Sequence, residues 1–482
     1  MILLALVACP APDANPSPAG DSASVVDDTG TTSAPTGAWG TLLGAPADAL
    51  GNAVQAAGDL DVDGDGDVLV AAYLGNRVCA VFGPVPAGRS AIDDLEPACF
   101  VGETDLDYAG YGMAAVGDTT GDGVADIVVG SVGNADVGAN SGKAYLVAGP
   151  LVPGSWSVGD AAYTTWVGET ASDYAGIAAS AAGDVTGDGN PDLLIGASGF
   201  DGAGGGGGRA YLLAGPVVPG AFALAAAYAS VTGLGVADTG TPPPHGAFGT
   251  GDFIGESLAG RGDFDGDGVD DLALGASGDQ TLGPNTGKVV VFRGPVAAGA
   301  WLVIDADLTL WGPAAESYAG SPTLAVPDLT GDGLSDLLLA ADGLGAGVVY
   351  AVGAEGSGSA ELVDAGIRFE GEADDDLFGY SLATPTDLDG DAALDLVIGA
   401  PGSDRAAFEA GAVWVFSGPF AAGVYTAAQG AVVTGEVQGD TFGAAVDVAG
   451  DLNGDTGPDL VIGARNSDSN GGFSGAVYLV GG

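Results

Sequence analysis

Short runs of apolar residues recur along this chain without the polar alternation of a half-exposed strand. Examples are Ile127-Val128-Val129-Gly130 and Leu193-Leu194-Ile195-Gly196. Because such a run is apolar at every position, we predict strands that are buried on both faces, between neighbouring sheets. A second run follows each, and most end in Gly-Pro; a weaker third segment precedes the next unit. The second runs include residues 144–147, 210–213, 289–292, 412–416 and 476–480.

A nine-residue acidic loop precedes each buried run. It has aspartate at positions 1, 5 and 9, an oxygen-bearing side chain at position 3, and in most copies glycine at position 6. Side-chain oxygens on alternate residues of a tight loop converge on one hard cation, and glycine allows the backbone reversal, so we predict up to seven Ca²⁺ sites. Ordinary Asp-Gly hairpin turns are the alternative, but they would not keep four positions in phase seven times.

The predicted ligands of the seven loops are Asp59, Asp61, Asp63 and Asp67; Asp118, Thr120, Asp122 and Asp126; Asp184, Thr186, Asp188 and Asp192; Asp263, Asp265, Asp267 and Asp271; Asp328, Thr330, Asp332 and Asp336; Asp387, Asp389, Asp391 and Asp395; Asp451, Asn453, Asp455 and Asp459.

In each of the seven units we therefore predict four short strands: one before the acidic loop, the buried run after it, and the two segments that follow. No amphipathic helix pattern of useful length interrupts them. This organisation is typical of an all-β, seven-bladed β-propeller spanning residues 37–482. The last unit stops after its third strand, and the segment 39–43 precedes the first unit. We predict that this N-terminal strand completes the last blade and closes the ring, which removes a free sheet edge.

The repeats resemble the FG-GAP repeats of integrin alpha subunits and many bacterial surface proteins. An aromatic-glycine signature opens most units, at residues 108–110, 174–176, 253–255, 318–320, 378–379 and 442–443. The resemblance implies a seven-bladed propeller, calcium in the loop between the first two strands, and ligand recognition on the opposite face. The sequence departs from the pattern at position 6, where Ala392 and Thr456 replace glycine and should be strained.

The N-terminus predicts export. Residues 1–9 end in Leu6-Val7-Ala8-Cys9, which resembles a bacterial lipobox with Cys9 as the lipidated residue. The apolar stretch is too short to span a bilayer and lacks a positive leading region, so a chance apolar N-terminus is the alternative. Residues 10–36, rich in Pro, Ser, Thr and Asp, predict a flexible linker. We expect a lipid-anchored protein at the outer membrane or cell surface, in contact with membrane through that anchor alone.

The chain is strongly acidic, with 64 acidic and 10 basic residues and a formal net charge of −54. Calcium in the loops would offset part of this repulsion, so the calcium-free protein should be less stable. The charge disfavours nucleic acid and anionic lipid as partners, although it also suits a merely solvating surface. Cys79 and Cys99 fall on adjacent predicted strands of the first blade, where a disulfide is possible; buried free thiols are the alternative.

Four other motifs have plain interpretations. Arg261-Gly262-Asp263 spells an integrin-binding tripeptide, but Asp263 is the first ligand of the fourth loop, so we regard it as coincidence. The glycine-rich segment 202–208 has no following Lys-Ser/Thr and predicts a loop, not a phosphate site. His245 is the single histidine and has no catalytic partner in the sequence. Lys143 and Lys288 each begin a third strand, where a structural role suffices.

Two functions follow from this pattern. The favoured one is a non-catalytic binding or adhesion module for a protein or glycan ligand; the alternative is a secreted enzyme acting on polysaccharide or lipid. Such an enzyme needs convergent basic, tyrosine and carboxylate groups at the ring centre, and the basic residues here are scattered in sequence. Loop length varies on the face opposite the calcium loops, so we expect recognition there rather than uncommitted surface. The variable segments are 198–208, 233–251, 277–287, 402–411 and 466–475.

Overall fold

Strands and turns make up nearly all of the regular structure in the computed structural model, which describes residues 37–201, 206–234, 251–435 and 437–481. The expectations for Cys9, residues 10–36 and His245 lie outside these residues. Within them, no helix is both long and apolar enough to cross a membrane.

The strands of the first half of the chain are β1 (Ala38–Leu43), β2 (Leu50–Gly58), β3 (Asp67–Ala72), β4 (Arg77–Val81), β5 (Gly88–Ala91), β6 (Ala98–Val101), β7 (Ala109–Gly117), β8 (Asp126–Ser131), β9 (Lys143–Val147), β10 (Gly154–Ser157), β11 (Thr164–Val167), β12 (Ala179–Gly183), β13 (Asp192–Ala197), β14 (Arg209–Leu213), β15 (Gly220–Ala223) and β16 (Ala229–Thr232).

The second half contains β17 (Ser257–Gly262), β18 (Asp271–Ala276), β19 (Lys288–Phe292), β20 (Gly299–Leu302), β21 (Leu308–Trp311), β22 (Thr323–Val326), β23 (Asp336–Ala341), β24 (Val348–Gly353), β25 (Gly358–Glu361), β26 (Ile367–Glu370), β27 (Ser381–Leu382), β28 (Leu396–Ala400), β29 (Ala412–Phe416), β30 (Gly423–Thr426), β31 (Ala431–Thr434), β32 (Ala445–Ala449), β33 (Asp459–Ala464) and β34 (Ala476–Gly481). One four-residue helix, α1 (Val158–Ala161), and five 3₁₀ turns link strands: Ile92–Leu95, Leu224–Ala226, Val303–Asp305, Leu362–Asp364 and Ala427–Gln429.

The strands form seven sheets, so the predicted seven-bladed propeller is confirmed. In each blade four strands pair antiparallel, and the first strands of neighbouring blades lie side by side around the ring centre. The predicted closure is also confirmed, because β1 pairs with β34 as the fourth strand of the last blade. From first to fourth strand, blades one to seven are β2-β3-β4-β6, β7-β8-β9-β11, β12-β13-β14-β16, β17-β18-β19-β21, β22-β23-β24-β26, β27-β28-β29-β31 and β32-β33-β34-β1.

A fifth strand, which the sequence pattern did not predict, covers the outer edge of six blades. It comes from the connection between the third and fourth strands of the following unit, and it runs parallel to the fourth strand of the blade that it joins. In blade one, for example, Gly154 to Ser157 of β10 pair with Ala98 to Val101 of β6. Units one to six therefore each pair with the preceding blade as well as forming their own.

The hydrophobic core is divided among the spaces between blades. On β3, Val68 and Val70 pack towards blade seven, whereas Leu69 and Ala71 pack towards blade two, and all four are fully buried. The second strands are therefore buried on both faces, as the continuous apolar runs predicted.

A glycine directly after each fourth strand holds that strand against the loop between the second and third strands. Gly168, for example, donates its N–H to the carbonyl of Gly142 at 3.0 Å. A Cβ at Gly168 would lie 2.0 Å from the carbonyl oxygen of Ser141, so only glycine fits there without movement. The seven equivalent residues are Gly44, Gly102, Gly168, Gly233, Gly312, Gly371 and Gly435.

The aromatic-glycine signature comprises two different structural positions. Tyr108, Tyr174 and their equivalents in blades four and five occupy a left-handed position with φ between 50° and 56°. Phe378 and Phe442 instead lie one residue later in the pattern, where they are buried between blades. The aromatic residue of the signature therefore lies at the left-handed position in blades two to five and at the buried position that follows it in blades six and seven.

The predicted disulfide is confirmed: Cys79 on β4 is bonded to Cys99 on β6, and the two residues are direct cross-strand partners. Both are buried between blades one and seven. Such a bond is typical of proteins outside the reducing cytoplasm, as the sequence predicted.

Candidate metal centres and the ring-centre cluster

The seven acidic loops join first and second strands, so they all lie on one face of the ring. The position-1 carboxylate fixes each turn: in loop four, Asp263 Oδ1 accepts the N–H of Gly266 at 2.7 Å, and Oδ2 accepts that of Gly268 at 2.9 Å. The loop is thus held in shape by its own first ligand, with the carboxylates directed inward.

Three loops bring the carboxylates of positions 1, 3 and 9 together, with ligand oxygens within 4.8 Å of one another. Like charges this close repel strongly unless a cation or protons neutralise them. Each residue of these groups offers a carboxylate oxygen, the kind of ligand that a hard divalent cation such as Ca²⁺ prefers. The groups are Asp59, Asp61 and Asp67; Asp263, Asp265 and Asp271; Asp387, Asp389 and Asp395.

The position-9 aspartate has a structural task as well. Asp271 is fully buried; its Oδ2 accepts the N–H of Phe264 at 2.8 Å, and its Oδ1 accepts that of Gly294 at 2.7 Å. It therefore ties the acidic loop to the Gly-Pro corner after the third strand. Burial raises the pKa of Asp67 and of Asp271 to about 6, and a nearby cation would lower it again.

The position-5 aspartates, unlike those at positions 1, 3 and 9, are not part of the converging groups and instead accept a hydrogen bond from the backbone two residues later. Asp267 Oδ1 accepts the N–H of Val269 at 2.8 Å, and Asp122 Oδ1 accepts that of Val124 at 3.0 Å. Position 5 is not among the three converging groups, so its role as a ligand stays a prediction.

Loops two and three carry a hydroxyl where the converging groups have a carboxylate. The Oγ1 atoms of Thr120 and Thr186 are buried and have no hydrogen-bond partner in the described structure. A buried hydroxyl without a partner is costly, and a cation would supply one. In loop five, by contrast, Thr330 Oγ1 donates to Asp336 Oδ1 at 3.1 Å, and in loop seven Asn453 Oδ1 accepts the N–H of Asp455 at 2.8 Å.

The predicted strain in loops six and seven is confirmed. Ala392 has φ 72° and Thr456 has φ 79°, in the left-handed region where glycine stands in the other loops. The structure adds Val62, at position 4 of loop one, with φ 67°. A β-branched residue there costs on the order of 1–2 kcal/mol.

Arg293 reaches loop four, with Nη1 2.8 Å from Asp265 Oδ2, and reduces the negative charge of that loop.

The opposite face carries a group of polar residues that the sequence did not indicate, which we call the ring-centre cluster. Each member lies at the start of a first strand or just beyond a second strand, and the members come from blades one, two, four, six and seven. Residues of such distant blades meet only around the ring centre. The cluster consists of Asn52, Tyr73, Tyr111, Glu256, Ser277, Tyr380 and Arg465.

Arg465 is the cationic member of the cluster. Its Nη1 lies 3.1 Å from the hydroxyl oxygen of Tyr380 and 3.5 Å from Oδ1 of Asn52, and its guanidinium lies 5.6 Å from the Tyr380 ring centroid. The rings of Tyr73 and Tyr111 meet edge to face with centroids 6.0 Å apart. The result is one guanidinium surrounded by aromatic rings and phenol oxygens.

Burial is the largest influence on the pKa values of the charged and phenolic groups in this cluster. Burial raises the pKa of Tyr73 and of Tyr111, so both phenols stay protonated. Burial lowers the pKa of Arg465, but the hydrogen bond with Tyr380 and the electrostatic interaction with the neighbouring tyrosines raise it overall. Burial raises the pKa of Glu256, which accepts a hydrogen bond from Ser277 Oγ at 2.8 Å.

Residues outside these groups behave as the sequence suggested. Arg261 donates to the carbonyl of Val116 at 2.8 Å, and Asp263 belongs to loop four, so the Arg-Gly-Asp triplet is part of the fold. Lys143 pairs with Glu103 at 2.8 Å, and Lys288 pairs with a buried carboxylate, that of Asp279, at 2.6 Å. Both lysines have structural partners.

Four segments of the chain match the FG-GAP repeat: residues 176–213, 255–292, 378–416 and 442–480. These four segments are FG-GAP repeats. Each matched segment begins at the aromatic-glycine signature of blade three, four, six or seven, contains the acidic loop, and ends in the third strand.

Known proteins are similar to parts of this chain. Integrin alpha-PS2 of Drosophila melanogaster is 30% identical over 235 residues, covering 45% of this chain and 15% of that protein. Phosphatidylinositol-glycan-specific phospholipase D of Dictyostelium discoideum is 28% identical over 197 residues, 36% of this chain and 20% of that protein. The WD40 domain of a Toxoplasma gondii coronin has a TM-score of 0.45 at 12% identity, with 92% of this chain and 88% of that chain covered. The chain spans a fifth or less of the two curated relatives' length.

Proposed function

We propose that this protein is a calcium-stabilised, non-catalytic binding or adhesion module, tethered to the cell surface through Cys9, that takes a protein or glycan ligand on the face of the ring-centre cluster. The observation that carries the proposal is the division of labour between the two faces. All seven acidic loops occupy one face, and the ring-centre cluster occupies the other. Similarity to an integrin alpha chain supports a binding role.

Calcium in this proposal stabilises the ring. Each loop carries three aspartates and one further oxygen-bearing side chain at positions 1, 3, 5 and 9. An ion at the loop neutralises carboxylates that are brought together, and therefore repel one another, only in the folded state. Seven divalent ions would offset part of the net charge of −54. When the free calcium concentration is 100 times the dissociation constant of a site, binding at that site adds about 2.7 kcal/mol to the free energy of unfolding.

Native mass spectrometry and calorimetry test the calcium sites. We expect five or more ions per chain and a higher melting temperature in millimolar calcium than in EDTA. Asp389→Asn should lose one ion, whereas Glu361→Gln, on the exposed outer strand β25, should lose none. Asp267→Ala decides whether position 5 is a ligand. An unchanged melting temperature between the two conditions would refute calcium stabilisation.

Ligand binding on the opposite face rests on Arg465 and its aromatic surroundings. A guanidinium beside phenol oxygens can hydrogen-bond the hydroxyl, amide or carboxylate oxygens of a glycan or peptide, and the rings offer a stacking surface. The loops between second and third strands surround this cluster. They include the long segment 277–287 between β18 and β19.

A glycan array and a panel of immobilised extracellular proteins, probed with and without calcium, would identify the ligand. Arg465→Lys and a shortened 280–285 segment should weaken binding to any hit while calcium content stays unchanged. Glu361→Gln on the outer rim is the matched control. Full binding by both face variants would place the ligand elsewhere and refute this assignment.

The lipid tether is tested separately. We expect Cys9→Ser to release the protein from the membrane fraction into the soluble fraction, with calcium content and ligand binding retained. Retention of the Cys9→Ser protein after a salt wash would show that another feature anchors it.

An enzyme acting on polysaccharide or lipid is the second candidate, and one observation favours it: Arg465, tyrosines and Glu256 do converge at the ring centre. Turnover assays on bacterial polysaccharides and on phosphatidylinositol-glycan substrates distinguish the two functions. An enzyme would show turnover that Tyr111→Phe or Glu256→Gln abolishes, whereas a binding module would show none.

A further inference from the structure

Blade six differs from the other blades at its outer edge. In the described residues it has four strands, whereas each of the other six has a parallel fifth strand paired with its fourth strand. Among the described residues, no strand pairs with the outer row of backbone N–H and C=O groups on β31, the fourth strand of blade six. Such an edge is a ready template for pairing with another strand.

Side-chain exposure along β31 is higher than along the fourth strands of blades one to five, which have a fifth strand. Ala431, the first residue of β31, is exposed, and Val433 is only half-buried. The first residues of the covered fourth strands in blades one to five are all buried: Ala98, Thr164, Ala229, Leu308 and Ile367.

The chain follows a constant rule when it makes a fifth strand. A glycine begins the strand and lies 12 to 14 residues before the glycine that follows the fourth strand of the same unit. The residue four positions after the first glycine begins the connecting turn and is buried. The glycine pairs are Gly88 and Gly102, Gly154 and Gly168, Gly220 and Gly233, Gly299 and Gly312, Gly358 and Gly371, Gly423 and Gly435; the buried residues are Ile92, Val158, Leu224, Val303, Leu362 and Ala427.

Unit seven takes its fourth strand, β1, from the N-terminal side of the ring. The glycine after β1 is Gly44, whose N–H donates to the carbonyl of Gly475 as its equivalents do in the other blades. Counting back 14 residues from Gly44 reaches Gly30, and the residue four positions later is Ala34. Alanine also stands at this place in blade six, as Ala427.

We propose that Gly30-Thr31-Thr32-Ser33 is the fifth strand of blade six. It runs parallel to β31 with Gly30 opposite Ala431 and Ser33 opposite Thr434, the register seen in the other six blades. Two threonines suit a strand. The linker between Cys9 and the ring then comprises residues 10–29 instead of 10–36, and it leaves the ring at the rim of blade six.

Hydrogen–deuterium exchange of the full chain tests this docking. Amides of residues 431–434 should exchange at least tenfold faster in a variant that lacks residues 1–33 than in the full chain, because their outer hydrogen bonds are lost. A variant that lacks only residues 1–26 should exchange like the full chain. A synthetic peptide of residues 27–36 should restore protection to the shorter protein.

A point variant keeps the test independent of truncation. Five of the six glycines that begin fifth strands have φ between 88° and 150°, a conformation that valine rarely adopts. Gly30→Val in the full chain should therefore raise exchange at residues 431–434, whereas the matched control Gly20→Val should not.

Two results would overturn the proposal. Fast exchange of residues 431–434 in the unmodified full chain would show that the edge is open. Protection that persists without residues 1–33 and falls on dilution would show that a second copy covers the edge instead. Neither result bears on calcium content or ligand binding, so the proposed function is tested separately.

Discussion

Gly168→Ala tests how closely the blades are built around backbone contacts. The added Cβ would lie 2.0 Å from the Ser141 carbonyl oxygen, and ordinary contact begins near 3.4 Å, so the two backbones must separate by roughly 1.4 Å. Overpacking of this kind costs about 1–3 kcal/mol. The obstacle is a backbone carbonyl rather than a flexible side chain, so we expect a cost in the upper half of that range.

Alanine also narrows the unfolded ensemble, which stabilises a protein by about 0.4–1 kcal/mol where the backbone allows it. Gly168 is outside the left-handed region, so this gain applies. The expected net loss is about 2 kcal/mol in the free energy of unfolding. At an unfolding entropy of about 2.1 cal/mol/K per residue over roughly 440 residues, the melting temperature should fall by about 2 °C.

Gly356→Ala is the matched control, because a Cβ there meets no heavy atom within 4 Å and the residue lies outside the left-handed region. This variant should gain only the stabilisation that comes from a less flexible unfolded chain, and it should melt up to about 1 °C higher than the wild type. Calorimetry in saturating calcium keeps the metal sites constant in both proteins. If Gly168→Ala melted at or above the temperature of Gly356→Ala, the close-approach argument for the glycine after every fourth strand would be wrong.

Three further predictions concern stability. The Cys79→Ala/Cys99→Ala double variant should lose about 3 kcal/mol, because the bond closes a loop with a sequence separation of 20 residues; equal melting temperatures for wild type and variant would contradict this. Thr456→Gly should gain up to about 1 kcal/mol by relieving the left-handed strain, whereas Ala393→Gly, outside that region, should lose stability; chemical denaturation compares them. Burial raises the pKa of Asp447 to about 6, above its ordinary value of 3.8, so the folded protein holds this proton more tightly than the unfolded chain does. The stability that results is fully present below pH 3.8 and is lost as pH rises through 6. Asp447→Asn should flatten the fall in melting temperature between pH 4 and 6, and a curve parallel to wild type would exclude this residue as its source.

The sequence determined the elements that short-range patterns encode. Continuous apolar runs fixed the second strands, because only strands between two sheets need apolar residues at every position. The spacing of the acidic loops fixed the number of blades and the loop face. The position of residues 39–43 fixed the ring closure, since a propeller leaves one place for an N-terminal strand when the last unit has three.

Side-chain chemistry within a loop was also readable from sequence. The left-handed backbone at Ala392 and Thr456 followed from the glycines at the same place in the other loops. The Cys79–Cys99 bond followed from the predicted adjacency of two strands. Position 9 was assigned as a ligand, but its hydrogen bond to the Gly-Pro corner spans 23 residues and has no local signal.

Only the tertiary structure decided what the ring brings together. Arg465 and Tyr380 are 85 residues apart in sequence and on different blades, yet they touch because every second strand ends, and every first strand begins, beside the ring centre. The fifth strands likewise pair between units, because each comes from one unit and joins the fourth strand of the preceding blade. A repeat pattern specifies each blade from its own residues, but contacts between blades depend on how all seven are arranged around one axis.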